Sequence, residues 1–246
     1  MDVVLDHEKH IYTNVKTGEP YISVTNFISN YKKPFDKDFW SKKIAERQGV
    51  AQESVLEAWK KITTTAQDRG TKIHLVMERF LKDNYVEEGF EELTDSFSKK
   101  TSALIKNDSV IESERLLYNH DYKVAGTADL IVENGNTFYI LDFKTNKAFN
   151  FVSKYNDYFY SPIDYLPQCE FTTYTIQMSI YAYMHEILTG KKCGGLKIFY
   201  LREFSGRFWQ EIPCIYMKDA VKSLFEDKLR KDLKTSNNAK GNIDKV

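Results

Sequence analysis

The chain of 246 residues reads as a mixed α/β fold, a central sheet flanked by helices. Three observations predict it. Three consecutive β-rich runs, residues 110–118, 123–133 and 137–145, are separated only by the turn signals Asn119-His120-Asp121 and Asn134-Gly135. Segments of helical period, residues 70–83 and 172–189, lie before and after them. A further strand pair, residues 196–203 and 208–216, follows the second helix. Strands enclosed by helices on both sides make a layered sandwich.

The elements follow in order. Residues 10–24 read as a short hairpin about Lys16-Thr17-Gly18. Helices then predominate to residue 83. Pro34 breaks the chain before a helix over 39–47, Gly49 marks its boundary, and 52–63 forms another. Gly70 is expected to open a separate helix with Ile73, Met77 and Phe80 on one side, ended by Asp83-Asn84. Residues 87–93 read as an acidic loop and 97–107 as helix. After the three core strands, residues 146–170 are aromatic and irregular. Thr172 or Thr173 is the expected N-cap of the long helix that Gly190 ends. The late strand pair turns at Ser205-Gly206. Residues 217–233 form a charged amphipathic helix, and 235–246 are polar enough to be disordered. The expected organisation is one domain over 1–234, with a hairpin and helices to residue 65, a core over 66–234, and a tail from 235.

Composition bounds the function. With 42% hydrophobic residues the chain can bury one sizeable core. It lacks an apolar run of membrane-spanning length and a signal-peptide pattern, so it is expected in the cytoplasm, without membrane partners. Cys169, Cys193 and Cys214 are isolated and odd in number, which argues against a disulfide framework. Basic and acidic residues balance at 35 each. That counts against a nucleic-acid binder, although local patches matter more than the sum. Lys32-Lys33, Lys42-Lys43, Lys99-Lys100, Lys147 with Lys154, and Lys191-Lys192 read either as phosphate contacts or as solvated pairs.

The chemistry concentrates on the central hairpin. With a two-residue turn at Asn134-Gly135, Glu133 faces Asn136 and Asp129 faces Ile140. Side chains alternate along a strand, so Asp129, Asp142 and Lys144 share a face. Leu130, Val132, Tyr139, Leu141 and Phe143 take the other, as core. Two carboxylates and an amine near a strand end suit a hard cation and an activated water. The bland alternative is a solvated polar edge. The apolar run Tyr139-Ile140-Leu141 leading into Asp142 argues against it, because a buried carboxylate needs a partner or a metal.

Asp129, with Asp142-Phe143-Lys144, resembles the PD-(D/E)xK nuclease superfamily. Arg69-Gly70-Thr71-Lys72-Ile73-His74 is similar to the upstream helix of its RecB-like and Cas4-like branch, and Gln177-Met178-Ser179-Ile180-Tyr181 to that branch's Gln-x-x-x-Tyr helix. The elements occur in the branch's order over residues 66–190. Tyr21-Ile22-Ser23-Val24-Thr25 is similar to the opening of phage-type members. The resemblance implies a restriction-endonuclease-like core with a helical N-terminal elaboration. It implies a metal-dependent DNA exonuclease of recombination, repair or phage DNA processing, in a bacterium or phage-infected cell. A recombination or replication protein would be a partner. Alternatives are a structure- or sequence-specific endonuclease, or a catalytically silent nucleic-acid-binding module.

Site residues follow from the same resemblance. Asp129, Asp142, His74 and the Phe143 carbonyl are the implied ligands of Mg²⁺ or Mn²⁺, with the imidazole favouring Mn²⁺. Lys144 would support the attacking water and the phosphate charge. Gln177 and Tyr181, four apart on one helix face, would hold a phosphate or position Lys144, or else pack the core. His74 is otherwise a packed core residue. Glu78 shares the face of His74, either behind the metal or in an ion pair. Glu114 either reaches the metal through water or is an exposed strand residue. Some members carry a four-cysteine iron–sulfur cluster; three cysteines are too few, so none is expected. The aromatic stretch 149–165 would stack on unpaired bases or close the core.

Overall fold

One long strand, β5 (Val124–Asn134), organises the sheet, and nearly all of it is buried. The computed structural model describes residues 2–6, 9, 11–202 and 208–243, without the side chains of 236–243. Along one edge, β5 pairs antiparallel with β4 (Val110–Asn119). Its other edge is shared. β3 (Pro20–Ser23) pairs parallel with it at Val124 and Ala125. β6 (Thr137–Lys144) pairs antiparallel with it from Leu130 to Asn134. Residues 126–129 fall between those two partners, so the sheet forks there. β6 continues into a parallel pair with β7 (Lys192–Tyr200), and β7 pairs antiparallel with β8 (Gln210–Cys214). On the far side, β1 (Val3–Asp6) and β2 (Ile11–Asn14) extend the sheet beyond β3.

Both faces of the central strands are apolar, so both must be covered. Phe27 of α1 (Val24–Ser29), Ile176 and Ile180 of α5 (Glu170–Thr189), and Leu224 of α6 (Lys218–Ile243) pack with Ile131 and Ile140. On the opposite face, Ile73 and Met77 of α3 (Gln52–Asp83) and Phe97 of α4 (Glu91–Thr101) pack with Leu130, Leu141 and Phe143. Each such side chain contributes about 1.5–3 kcal/mol when fully buried. α2 (Lys37–Gln48) lies against α3. The result is the expected mixed sheet between helical layers.

Several boundaries differ from the sequence reading, each for a physical reason. α3 is one helix rather than two, with Gly70 in its interior. A mid-helix glycine costs about 1 kcal/mol but does not break a helix. Here it faces Thr145, whose Oγ1 would be in ordinary contact, 3.4 Å, with a Cβ at residue 70. α4 begins at Glu91, inside the stretch read as loop, because Glu91 and Glu92 sit in its first turn, where a helix favours negative charge. α5 begins at Glu170; Thr173 Oγ1 donates back to the Cys169 carbonyl at 2.8 Å instead of capping. β1 was not anticipated, and it turns the N-terminal hairpin into three strands. α6 continues past residue 233 to Ile243. The Ser205-Gly206 turn lies outside the described residues.

The central hairpin turns one residue later than expected. Asn134 pairs with Thr137, and Gly135-Asn136 form the turn. Only Gly135 takes a positive φ, 60°, which matches a turn with glycine first. Asn134 is held in the strand by its own side chain, which donates to the Leu104 carbonyl at 2.9 Å and accepts from Ser109. Leu130 therefore faces Leu141 and Ile131 faces Ile140, so Ile140 does not face Asp129.

Candidate metal centre

The fork at residues 126–129 leaves backbone groups without a neighbouring strand, and side chains take their place. Phe143 N–H, beyond the end of the β5–β6 ladder, donates to Asp129 Oδ2 at 2.7 Å. Asp129 thus seals the fork while its other oxygen stays free to face α3. Across the opposite edge, Glu114 lies between the pairs Ser113↔Leu130 and Arg115↔Ala128, level with Asp129. Its φ is 51°, a left-handed conformation in mid-strand. For an L residue other than glycine this costs about 1–2 kcal/mol. The strand also changes face here: Ala128 packs with the α5-side core and Leu130 with the α3-side core.

α3 supplies the third group. Arg69 Nη1 donates to the Thr145 carbonyl at 2.9 Å, and Gly70 faces Thr145 just past the end of β6. These contacts bring His74 over the fork. A carbonyl can only accept, so His74 Nε2 donates to Phe143 O at 3.0 Å. Nδ1 then faces the carboxylates, 3.6 Å from Asp129 Oδ1 and 3.7 Å from Glu114 Oε1. Burial opposes charge on the ring, but Asp129 and Glu114 outweigh it, and its pKa is pushed up to about 9. The proton on His74 balances two carboxylates where a cation could do the same.

The donor set fits a divalent ion. His74, Glu114 and Asp129 each offer one ligand atom, all within 4.8 Å of one another. One nitrogen and two carboxylate oxygens are compatible with Mn²⁺ or Mg²⁺. Of the ligands expected from sequence, His74 and Asp129 are in this cluster. The Phe143 carbonyl touches His74. Asp142 is paired with Lys144 beside the cluster, and Glu114 is the second carboxylate within it.

Asp142 is 2% exposed and ion-paired with Lys144. Burial, with the charge of Asp129 beside it, pushes its carboxyl up to about 6 against the pull of Lys144. Burial works against the Lys144 ammonium, but Asp142 and Asp129 hold its pKa above the ordinary lysine value. Lys144 is therefore charged at neutral pH and not a base. Its Nζ lies 4.8 Å from the centre of the Tyr174 ring, on α5. Asp129 turns towards α3 and Lys144 lies beside α5, so the three residues converge at the fork rather than standing on one flat face. Tyr174 was missed from sequence; its place one turn before Gln177 is the signal that could have found it.

Gln177 and Tyr181 do share a helix face, and they bond to each other: Gln177 Nε2 donates to Tyr181 Oη at 3.1 Å. The Tyr181 ring is buried in the core against Gly126, where a Cβ would lie 2.7 Å from Cε1. This accounts for the glycine of Gly126-Thr127-Ala128-Asp129. Lys144 is held by Asp142 and Tyr174, not by this pair. Glu78 is ion-paired with Lys82 one turn away. In the aromatic stretch, Phe159 and Ile163 close the core, whereas Tyr155 is exposed and stacks on Trp40. Lys33, Lys42 and Lys99 each meet a carboxylate at the surface, whereas Lys191 pairs with the buried Glu133.

No family model matches this chain. No curated protein matches it either. Among solved structures it is similar to "SSO0001", at 16% identity and a TM-score of 0.35 over 85% of this chain and 75% of that one. It is also similar to a "putative exonuclease" from Eubacterium rectale, at 12% identity and a TM-score of 0.42 over 89% of this chain and 82% of that one. No helix among the described residues is long and apolar enough to cross a membrane.

Proposed function

We propose that this chain is a divalent-metal-dependent deoxyribonuclease that degrades DNA from a free end. One observation carries the reading: His74, Glu114 and Asp129 meet at a fork in the sheet, beside the buried pair Asp142–Lys144. Clustered carboxylates that share one protonated imidazole form a costly arrangement without a cation. The left-handed backbone of Glu114 adds strain of the kind that persists at functional sites.

In this reading His74, Glu114 and Asp129 would hold the metal, and Asp142, beside them in its pair with Lys144, would be the further carboxylate available to it. When bound, Mg²⁺ or Mn²⁺ supplies positive charge at the phosphate and a more acidic water. Lys144, charged and stacked on Tyr174, draws a phosphate oxygen to the fork and balances the charge that develops there. The Phe143 carbonyl fixes the His74 tautomer, which leaves Nδ1 to face the carboxylates. Gln177 can turn its amide to a phosphate, with Tyr181 as its anchor. The domain is a single nuclease unit.

Labelled linear duplex and closed circular duplex, each with Mg²⁺, Mn²⁺ or chelator, test this. Short nucleotides should accumulate from the ends of linear DNA only with metal. Asp142→Asn, chosen because it leaves Lys144 a polar partner, should abolish release while the protein still melts cooperatively. Internal cutting of closed circles would mark an endonuclease. Binding without any product would mark a silent module.

A further inference from the structure

The first half of α3 and the segment that leads into α2 enclose a groove of about 880 Å³, away from the metal cluster. Phe35, Leu56, Trp59 and Ile62 line it, together with Lys37, Lys60 and one carboxylate, Glu57. The Phe35 and Trp59 rings are 5.8 Å apart and tilted by 58°. Phe35 and Ile62 are each 62% exposed, which the core does not require. Further rings stand on the same helical unit. Trp40 stacks on Tyr155 at 5.9 Å, and the Lys43 ammonium lies 5.1 Å from the centre of the Trp40 ring. From Lys32 to Gln67 the chain carries eight basic and five acidic residues, a net +3 within a neutral protein.

We infer that this groove binds an unpaired nucleic-acid strand and delivers it to the metal cluster. The inference rests on the nuclease reading and names the form of its substrate. Exposed rings interleaved with lysines suit bases that stack and phosphates that need charge, whereas a protein partner would match the rings without the cations. The helix itself gives the direction. Trp59 and His74 lie on the same α3, about 22 Å apart along its axis at ~1.5 Å per residue. A stacked strand covers that in about six nucleotides at ~3.4 Å each. Substrates with shorter unpaired ends should show a raised KM with kcat little changed.

The test is binding of a labelled oligothymidylate of about twelve nucleotides, followed by anisotropy with chelator present so that nothing is cut. Phe35→Ala removes an exposed ring and Lys60→Glu reverses an exposed charge, so neither should alter the melting temperature. Each should raise Kd at least about fivefold, and wild-type binding should weaken steeply with salt. No wild-type binding, or an unchanged Kd in both variants, overturns the inference. So does a dimer that Phe35→Ala dissociates and that ignores the oligonucleotide. If binding behaves as expected but metal never yields products, the groove stands and the nuclease reading falls. If metal yields products but neither variant shifts Kd, the reverse holds.

Discussion

Replacing Glu114 by alanine and by glycine separates strain from ligation. Both changes remove the same carboxylate from His74 and Asp129. They differ in what they ask of a backbone held at φ 51°. Alanine keeps the left-handed cost of about 1–2 kcal/mol. Glycine escapes that cost and gives up about 0.5–1 kcal/mol of chain entropy instead. The glycine variant should therefore be the more stable of the two, by roughly 0.5–1 kcal/mol. At an ordinary strand position the sign is the opposite, so the sign alone is diagnostic. In a chain of this size ~1 kcal/mol moves Tm by about 2–4 °C. Denaturant midpoints in chelator resolve such a difference, provided that the m values agree. An alanine variant as stable as the glycine variant would refute the strained backbone. Calorimetric titration with Mn²⁺ addresses ligation. Both variants should bind it more weakly than wild type, and undiminished affinity in either would remove Glu114 from the metal site.

His74 makes the metal-free protein pH-dependent. Its folded pKa of about 9 lies above the ordinary 6.5, so its stabilising contribution is complete below about 6.5 and is lost as pH rises through about 9. His74→Gln should flatten that part of the stability–pH curve, and Mn²⁺ affinity should climb over the same window in wild type, because a ligating imidazole must shed its proton. Tyr181→Phe should keep the fold and slow turnover by less than the ~10²-fold typical of a lost direct donor, because its hydroxyl only anchors Gln177; an unchanged kcat would exclude the pair from catalysis. Gly126→Ala should destabilise by about 1–3 kcal/mol, since its Cβ would lie 2.7 Å from the Tyr181 ring, and a neutral melting temperature would contradict that packing.

The layers and the local chemistry can be read along the chain. Period-two runs and turn residues marked β4, β5 and β6, and the Tyr139–Leu141 run placed Asp142 in the interior, because such patterns report burial residue by residue. Asp129, Asp142 and Lys144 group through strand alternation, and His74 joins them through the resemblance to the nuclease motifs. How they meet depends on contacts between distant segments. The hairpin register depended on which of two glycine-containing turns the chain adopts, and Asn134 settled it through bonds to Leu104 and Ser109, distant contacts that no local pattern records. The unbroken α3 runs through Gly70, a local cost of about 1 kcal/mol that the packing of Ile73 and Met77 on the sheet outweighs. Glu114 entered the cluster through a left-handed backbone at one strand residue, which is stable only where neighbouring strands hold it. The groove of Phe35 and Trp59 likewise needed α2 folded against α3. Periodicity describes which face an element presents, whereas a site built across a fork depends on where two strands stop pairing, and that is set by the whole sheet.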